Sequence, residues 1–145
     1  HANEATISGA GNLSMSTGVF NVADGAAAND LTISSVINQG SVNKQGAGTL
    51  VLTAANTYGT ATIINAGTLQ VGNGGTTGSL GGASFGITNN GTLALNRSNS
   101  LIISNAISGT GGVSQIGTGT TILSGTNTYF GPTLISLGTL QIGDI

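Results

Sequence analysis

The chain has 145 residues, a net charge of -2 at pH 7 and no cysteine, which sets one domain and excludes a disulfide framework, a thiolate zinc site and a cysteine nucleophile. Lys44 and Arg97 are its only basic residues, against Glu4, Asp24, Asp30 and Asp144, so no basic stripe exists to track phosphates and nucleic acid is not an expected partner. Gly, Asn, Ser and Thr supply 77 residues while aromatics are 3%, so a core has to be built from Leu, Ile, Val and Ala; the 38% of hydrophobic residues separates the chain from a disordered linker.

Along the chain the elements are short strands. "ISGAGNLSM" at Ile7 and "GVFNV" at Gly18 open it, and "LTISSVINQGSVNK" follows from Leu31. In "GTLQVG", Leu69 and Val71 alternate with Thr68 and Gln70, which predicts two inward rungs and two outward ones. A loop, "GNGGTTGSLGG", runs from Gly72 to Gly82, and then Leu93 and Leu95 alternate again in "GTLAL". "LIISNAISGTGGVSQ" starts at Leu101, and "GTLQIG" reaches Gly143. Gly, Asn and Ser punctuate these strands at turn spacing. No window carries a 3.6-residue period and strong helix formers are scarce, so no helix is expected.

The chain also repeats itself. Gly46 to Gly72 laid on Gly117 to Gly143 at an offset of 71 needs no gap and matches at 14 of 27 positions. The segment from Leu31 resembles that from Leu101 after one insertion, and the N-terminal phrases echo Ile107 and Gly91 more faintly. The chain therefore divides into a divergent copy over 1–30, a repeat unit over 31–100 and a second unit over 101–143, all in one domain at 1–145. Many short strands, regular turns and a long period mark a solenoid. The expected fold is all-β, a parallel β-helix of about six coils. A 71-residue unit is expected to hold three coils of roughly 20 to 25 residues, each with three strands, in a rod about 30 Å long.

"GAGTLVLTAANTYGTATIINAGTLQVGNGGTTGSLG" resembles the autotransporter-associated β-strand repeat of bacterial passenger regions, and "GTGTTILSGTNTYFGPTLISLGTLQIG" resembles it equally. Ala54, Gly59, Thr121 and Pro132 depart from the pattern, each loosening one turn or one ladder. The resemblance implies a right-handed parallel β-helix, exported and displayed at the bacterial surface in adhesive or purely structural roles. The translocator barrel and signal peptide of full members are missing here, and the chain opens on His1; this reads as an excised or processed segment.

Few residues invite chemistry, and no catalytic, cofactor-binding or metal-binding residue is predicted. His1 is the single histidine and reads as no more than the first residue. Asp24 and Asp30 are the close carboxylates; a glycosidase pair needs ~5 to 9.5 Å and one raised pKa, and the plainer reading is two solvated loop acids. The calcium-binding nonapeptide G-G-x-G-x-D is absent. Gly72–Gly82 lacks the lysine and helix of a phosphate loop and reads as a flexible protrusion. Tyr58 and Tyr129 hold equivalent positions and read as corner packing residues, with glycan stacking as the alternative. Sequons at Asn12, Asn90 and Asn96 follow from composition, and no apolar run approaches the ~20 residues of a membrane-spanning helix.

The expected function is a non-enzymatic structural segment of a secreted cell-surface protein, a rod in an adhesin, fibre or matrix. With no distinct cap in the sequence, its expected partner is more β-helix: the rest of a longer rod, or another copy stacked end to end into a filament. Glycans or a host surface come second. The alternative is a carbohydrate-binding or polysaccharide-degrading β-helix using Asp24, Asp30 and the tyrosines.

Overall fold

The computed structural model describes residues 4–82 and 84–143, so His1 and Asp144 lie outside it. Among the described residues there is no helix. In chain order the strands are β1 (Ala5–Ile7), β2 (Gly18–Asn21), β3 (Leu31–Ile33), β4 (Val42–Gln45), β5 (Thr49–Leu52), β6 (Thr62–Ile64), β7 (Thr68–Val71) and β8 (Ile87–Asn89). They continue as β9 (Thr92–Leu95), β10 (Leu101–Ile103), β11 (Ile107–Ser108), β12 (Gly112–Gln115), β13 (Thr120–Leu123), β14 (Thr133–Ile135) and β15 (Thr139–Ile142).

All strand pairings are parallel. The first sheet runs β1-β3-β5-β7-β9-β12-β14, the second β2-β4-β6-β8-β11 and the third β10-β13-β15. In all three the order along the sheet is the order along the chain. The chain is thus a parallel β-solenoid of about six turns, winding past the same faces again and again. Six intervals between the seven strands of the first sheet, at ~4.8 Å each, make a rod about 29 Å long. Where the third sheet has not yet begun, the third side of the coil is irregular and carries an isolated parallel bridge between Leu13 and Ile37.

Side-chain alternation places the rungs. Leu31, Leu50, Leu69, Leu93 and Val113 lie one above another on the first sheet, as do Ile33, Leu52, Val71, Leu95 and Gln115. These columns face inward, and Leu50, Leu52, Leu69, Val71, Leu93 and Leu95 have no exposed surface. Facing them from the second sheet are Val42, Ile64 and Ile87. The core is chiefly aliphatic, as composition requires, with two aromatic additions in Phe20 and Tyr58. Burying each such side chain contributes roughly 1.5 to 3 kcal/mol, which is what sets register, because a slip of one residue turns the whole rung outward.

The sequence period and the coil period differ. From Leu50 through Leu69 and Leu93 to Val113 the chain completes three coils in 63 residues. The counterpart of Leu50 at an offset of 71 is Thr121, eight residues further on and in β13 of the third sheet. The repeat is three coils plus one strand, so the second copy is turned by one face relative to the first: Val42 sits in the second sheet, and its counterpart Val113 in the first. Insertions stretch two coils. Ala5 to Leu31 takes 26 residues and Leu69 to Leu93 takes 24, against 19 from Leu31 to Leu50.

Gln70 was expected to face out, and it does point away from Leu69 and Val71, yet it is buried. Val51 and Ala94 flank it on neighbouring coils, and its Nε2 donates to the Gly72 carbonyl at 2.8 Å. On this face stacked neighbours cover Gln70, whereas outward residues on the other two sheets, such as Val19 and Ile102, stay exposed.

Corners impose the glycines. Gly46 has φ of 77°, and a Cβ there would sit 2.3 Å from the Val22 carbonyl oxygen of the coil beneath. Gly59 has open space and no positive φ. Gly46→Ala is expected to cost at least about 2 kcal/mol through backbone strain and overpacking. Gly59→Ala is expected to be neutral or to stabilise by up to about 1 kcal/mol. Urea unfolding midpoints of the two variants check the contrast.

Candidate functional site

Several polar side chains at the corners and inside the coil are buried, and there they bind backbone. Lys44 belongs to the inward column Phe20, Lys44, Ile64, Asn89 of the second sheet, and its side chain has no exposed surface. Its Nζ donates to the carbonyls of Gln45 at 2.9 Å, Gly46 at 2.7 Å and Ala66 at 3.1 Å. Three donors meet three corner carbonyls from two coils. Burial lowers the Lys44 pKa from its ordinary value, and the negative charge of Asp30 partly opposes that. The counterpart of Lys44 in the second copy is Gln115, buried as well, whose Nε2 donates to the carbonyls of Gly117 at 2.8 Å and Gly119 at 3.3 Å. Composition did not reveal Lys44 as an interior residue. Its alignment with Gln115, another long side chain ending in N–H donors, was the available signal.

Asparagines do similar work between coils. Asn56 accepts from the Ile37 N–H at 2.9 Å and donates to the Ser79 carbonyl at 2.8 Å, linking three successive turns. Asn105 donates to the carbonyls of Gly82 and Phe85. These amides supply hydrogen bonds where no strand ladder runs.

Asp30 is not a solvated loop acid. Its Oδ1 accepts from the Gly25 N–H and its Oδ2 from the Thr49 N–H, both at 2.8 Å. Both carboxylate oxygens are thus engaged in holding backbone N–H groups, one of them on the next coil. Asp24 is exposed. Tyr58 is fully buried, so its ring has no face for a sugar, and its hydroxyl bonds the Thr62 hydroxyl at 2.7 Å rather than solvent or backbone alone. Tyr129 makes the equivalent contact with Thr133 at 2.7 Å. Corner packing, the plainer reading of both, is what the structure contains.

The loop after β7 protrudes at Asn73–Thr77 but is tied down. Arg97 Nη1 and Nη2 donate to the carbonyls of Gly78 and Thr76, and backbone bonds join Gly74 to Asn96 and Ser98 to Gly75. The arginine replaces the missing strand neighbour of an inserted segment, so the expectation of a flexible loop gives way to a braced one. Of the sequon residues, Asn12 and Asn90 are exposed and Asn96 half-buried.

A shallow groove of about 350 Å³ crosses the outer face of the last coils, floored by Gly91 and Gly111 and edged by Asn90, Thr110, Ser114 and Leu134. A smaller one of about 230 Å³ lies beside Leu13 and Ser35. No residue that titrates near neutral pH lines either, which leaves them hydrogen bonding and apolar contact. Among the described residues no three His, Cys, Asp or Glu side chains gather as metal ligands.

Residues 42–71 and 113–142 each match the passenger-associated-transport-repeat family, so one family unit runs from β4 to β7 and the other from β12 to β15. Over 74 residues, half of this chain, the sequence is 43% identical to the adhesin BmaC autotransporter of Brucella suis biovar 1 (strain 1330). The match spans 2% of that protein's length. No solved structure matches the chain.

Two consequences can be measured. Asp30→Ala is expected to destabilise by about 1 to 3 kcal/mol, because it leaves two N–H groups short of a charged acceptor, while Asp24→Ala changes little; thermal unfolding compares them. The second concerns alkaline pH. Burial raises the Tyr58 pKa above its ordinary value of 10.0, against smaller opposing effects of its bonds to Thr62 and Gly81. Above pH 10 the unfolded chain therefore loses that proton first and stability falls as pH rises. Lys44 acts oppositely: its folded pKa is depressed, so stability rises with pH until the unfolded value of 10.5 is passed. Urea midpoints between pH 8 and 11 should decline less for Tyr58→Phe than for the parent, and more steeply for Lys44→Gln.

Proposed function

We propose that this chain, built around two passenger-associated transport repeats, is a non-enzymatic structural segment of a secreted bacterial surface protein. It is a β-helical rod that gives length and stiffness to an adhesin, fibre or matrix. The observation that carries this reading is that buried polar side chains of the interior and corners join one coil to the next: Lys44, Asn56 and Asn105 all bond backbone carbonyls or amides about one coil away in sequence. A chain that commits its polar groups to its own backbone holds its shape along an axis. The 43% identity over 74 residues to a protein named an adhesin autotransporter supports the surface location. A rod of this kind meets further β-helix at its ends, and its lateral faces are where an adhesive contact with glycans or a host surface would form.

Length is the property to test. A chain with one additional 71-residue unit inserted in phase should gain three coils and one strand, about 16 Å at ~4.8 Å per coil, with its cross-section unchanged. Small-angle scattering separates the axial and cross-sectional dimensions. A wider particle of unchanged length would overturn the rod reading.

A further inference from the structure

We propose that Asn90 is a self-modifying residue: the Gly91 nitrogen displaces its side-chain amide, and hydrolysis then leaves an aspartyl residue and a negative charge at this corner of the coil. The chain holds two Asn-Gly pairs, Asn73-Gly74 and Asn90-Gly91. In such a pair the glycine sets no side chain between the attacking nitrogen and the amide. Both asparagines are exposed, so access does not separate them. Their hydrogen bonds do.

In the loop after β7 the Gly74 N–H donates to the Asn96 carbonyl at 2.9 Å. The attacking nitrogen must give up its proton, and a proton held by a carbonyl is harder to lose. At the corner between β8 and β9 the Gly91 N–H donates to no acceptor among the described residues. The amide oxygens differ as well. Asn73 Oδ1 has a long contact of 3.5 Å with Gln70 Nε2. Asn90 Oδ1 accepts from the Thr110 N–H at 3.2 Å and from the Thr110 hydroxyl at 3.3 Å. When the Gly91 nitrogen adds to Cγ, negative charge develops on that oxygen, and two donors already aimed at it stabilise the charge as an oxyanion hole does. Thr110 is held in place over Asn90, because the Gly111 N–H donates to the Asn89 carbonyl at 2.8 Å and the Gly112 N–H to the Gly91 carbonyl at 3.0 Å.

The reaction needs water and nothing else. Hydroxide takes the Gly91 amide proton, the nitrogen bonds to Asn90 Cγ, and the Cγ–Nδ2 bond breaks as Nδ2 takes a proton from water and leaves as ammonia. Water then opens the cyclic imide. Breaking the new bond from nitrogen to Cγ gives aspartate; breaking the original peptide bond gives β-aspartate, whose main chain is one atom longer. The aspartate suits this corner, since its carboxylate accepts the same two Thr110 donors. The longer chain does not: a Cβ on Gly111 would already stand 2.1 Å from the Gly91 carbonyl oxygen, so the corner has no room for another atom. Asn90 edges the groove of about 350 Å³, which no charged side chain lines. The modification therefore turns a neutral groove into one that attracts cations.

The full 145-residue chain, incubated at mildly alkaline pH, tests this with one pair as the reference for the other. Trypsin cuts after Lys44 and Arg97, so both pairs fall in the peptide 45–97, and fragment-ion mass spectrometry times each conversion of amide to acid. In the folded chain Asn90 should convert about tenfold faster than Asn73. In concentrated urea, where neither pair keeps its partners, the two rates should agree within about twofold. Thr110→Val removes the hydroxyl and keeps the N–H; it should slow Asn90 about threefold and leave Asn73 unchanged, whereas Thr110→Ser should keep the parent rate. The proposal is overturned by a folded parent in which Asn73 converts as fast as Asn90, or by the same preference persisting in urea. It is overturned equally by a folded Thr110→Val that leaves the Asn90 rate unchanged or raises it, since Thr110 would then restrain the side chain without activating it. The parent rates with and without urea need no variant, so they decide the matter even where Thr110→Val fails to fold.

Discussion

The rest of this structure depends on one constraint: each coil must return the backbone to lie in hydrogen-bonding register about 4.8 Å from the coil before it. Parallel pairing from β1 to β14 satisfies it seven strands deep. Side chains are then forced into columns, and a column tolerates only residues whose shapes repeat. Leu, Ile and Val fill the inward columns, while the corners, where backbones cross at contact distance, admit almost nothing beyond hydrogen. Gly111 lies so close to Gly91 on the coil beneath that a Cβ would stand 2.1 Å from its carbonyl oxygen. The small-residue composition is the imprint of that geometry and not a sign of disorder.

Coils built only from aliphatic rungs would be nearly interchangeable, since Leu on Leu packs equally well one turn up or down. Interior polar groups break that degeneracy. Lys44 finds acceptors on its own corner and on Ala66 of the next turn, and sliding the coil by one residue would turn its ammonium outward and strand those carbonyls. The charge is costly to bury and destabilising to leave unpaired, which is what makes it a strong marker of register. Asn56 and Asp30 act likewise, each binding residues about 19 apart in sequence. At the matching position of the second copy, the neutral amide of Gln115 holds only its own corner, through the carbonyls of Gly117 and Gly119.

Much of the architecture was legible beforehand, because strand alternation and turn glycines are local signals. "GTLQVG" placed Leu69 and Val71 inward, and the structure buries both. What local signals cannot carry is phase. The repeat length of 71 looked like a whole number of coils, and it took the pairing of Leu93 with Val113 to reveal the extra strand. The two insertions were equally opaque: polarity and glycine made Gly72–Gly82 look loose, and only the position of Arg97, 19 residues after Gly78, braces it. Asp30 seemed a free acid because its acceptor role depends on Thr49, one coil away. Each misreading came from a contact about one coil distant in sequence, the distance at which a solenoid keeps nearly all its information.

That same arrangement explains why the two copies of one phrase have different surroundings. In a solenoid, stability is close to a sum of coil terms and nearest-neighbour interfaces, so an interior coil has two interfaces and a terminal one has a single interface. "NTYGTATIINAGTLQVG" lies between coils and buries its tyrosine, its Ile64 and its Val71, while "NTYFGPTLISLGTLQIG" has one covered side and exposes the matching residues. Identical chemistry thus reads as core in one place and as surface in the other, with position along the axis deciding which.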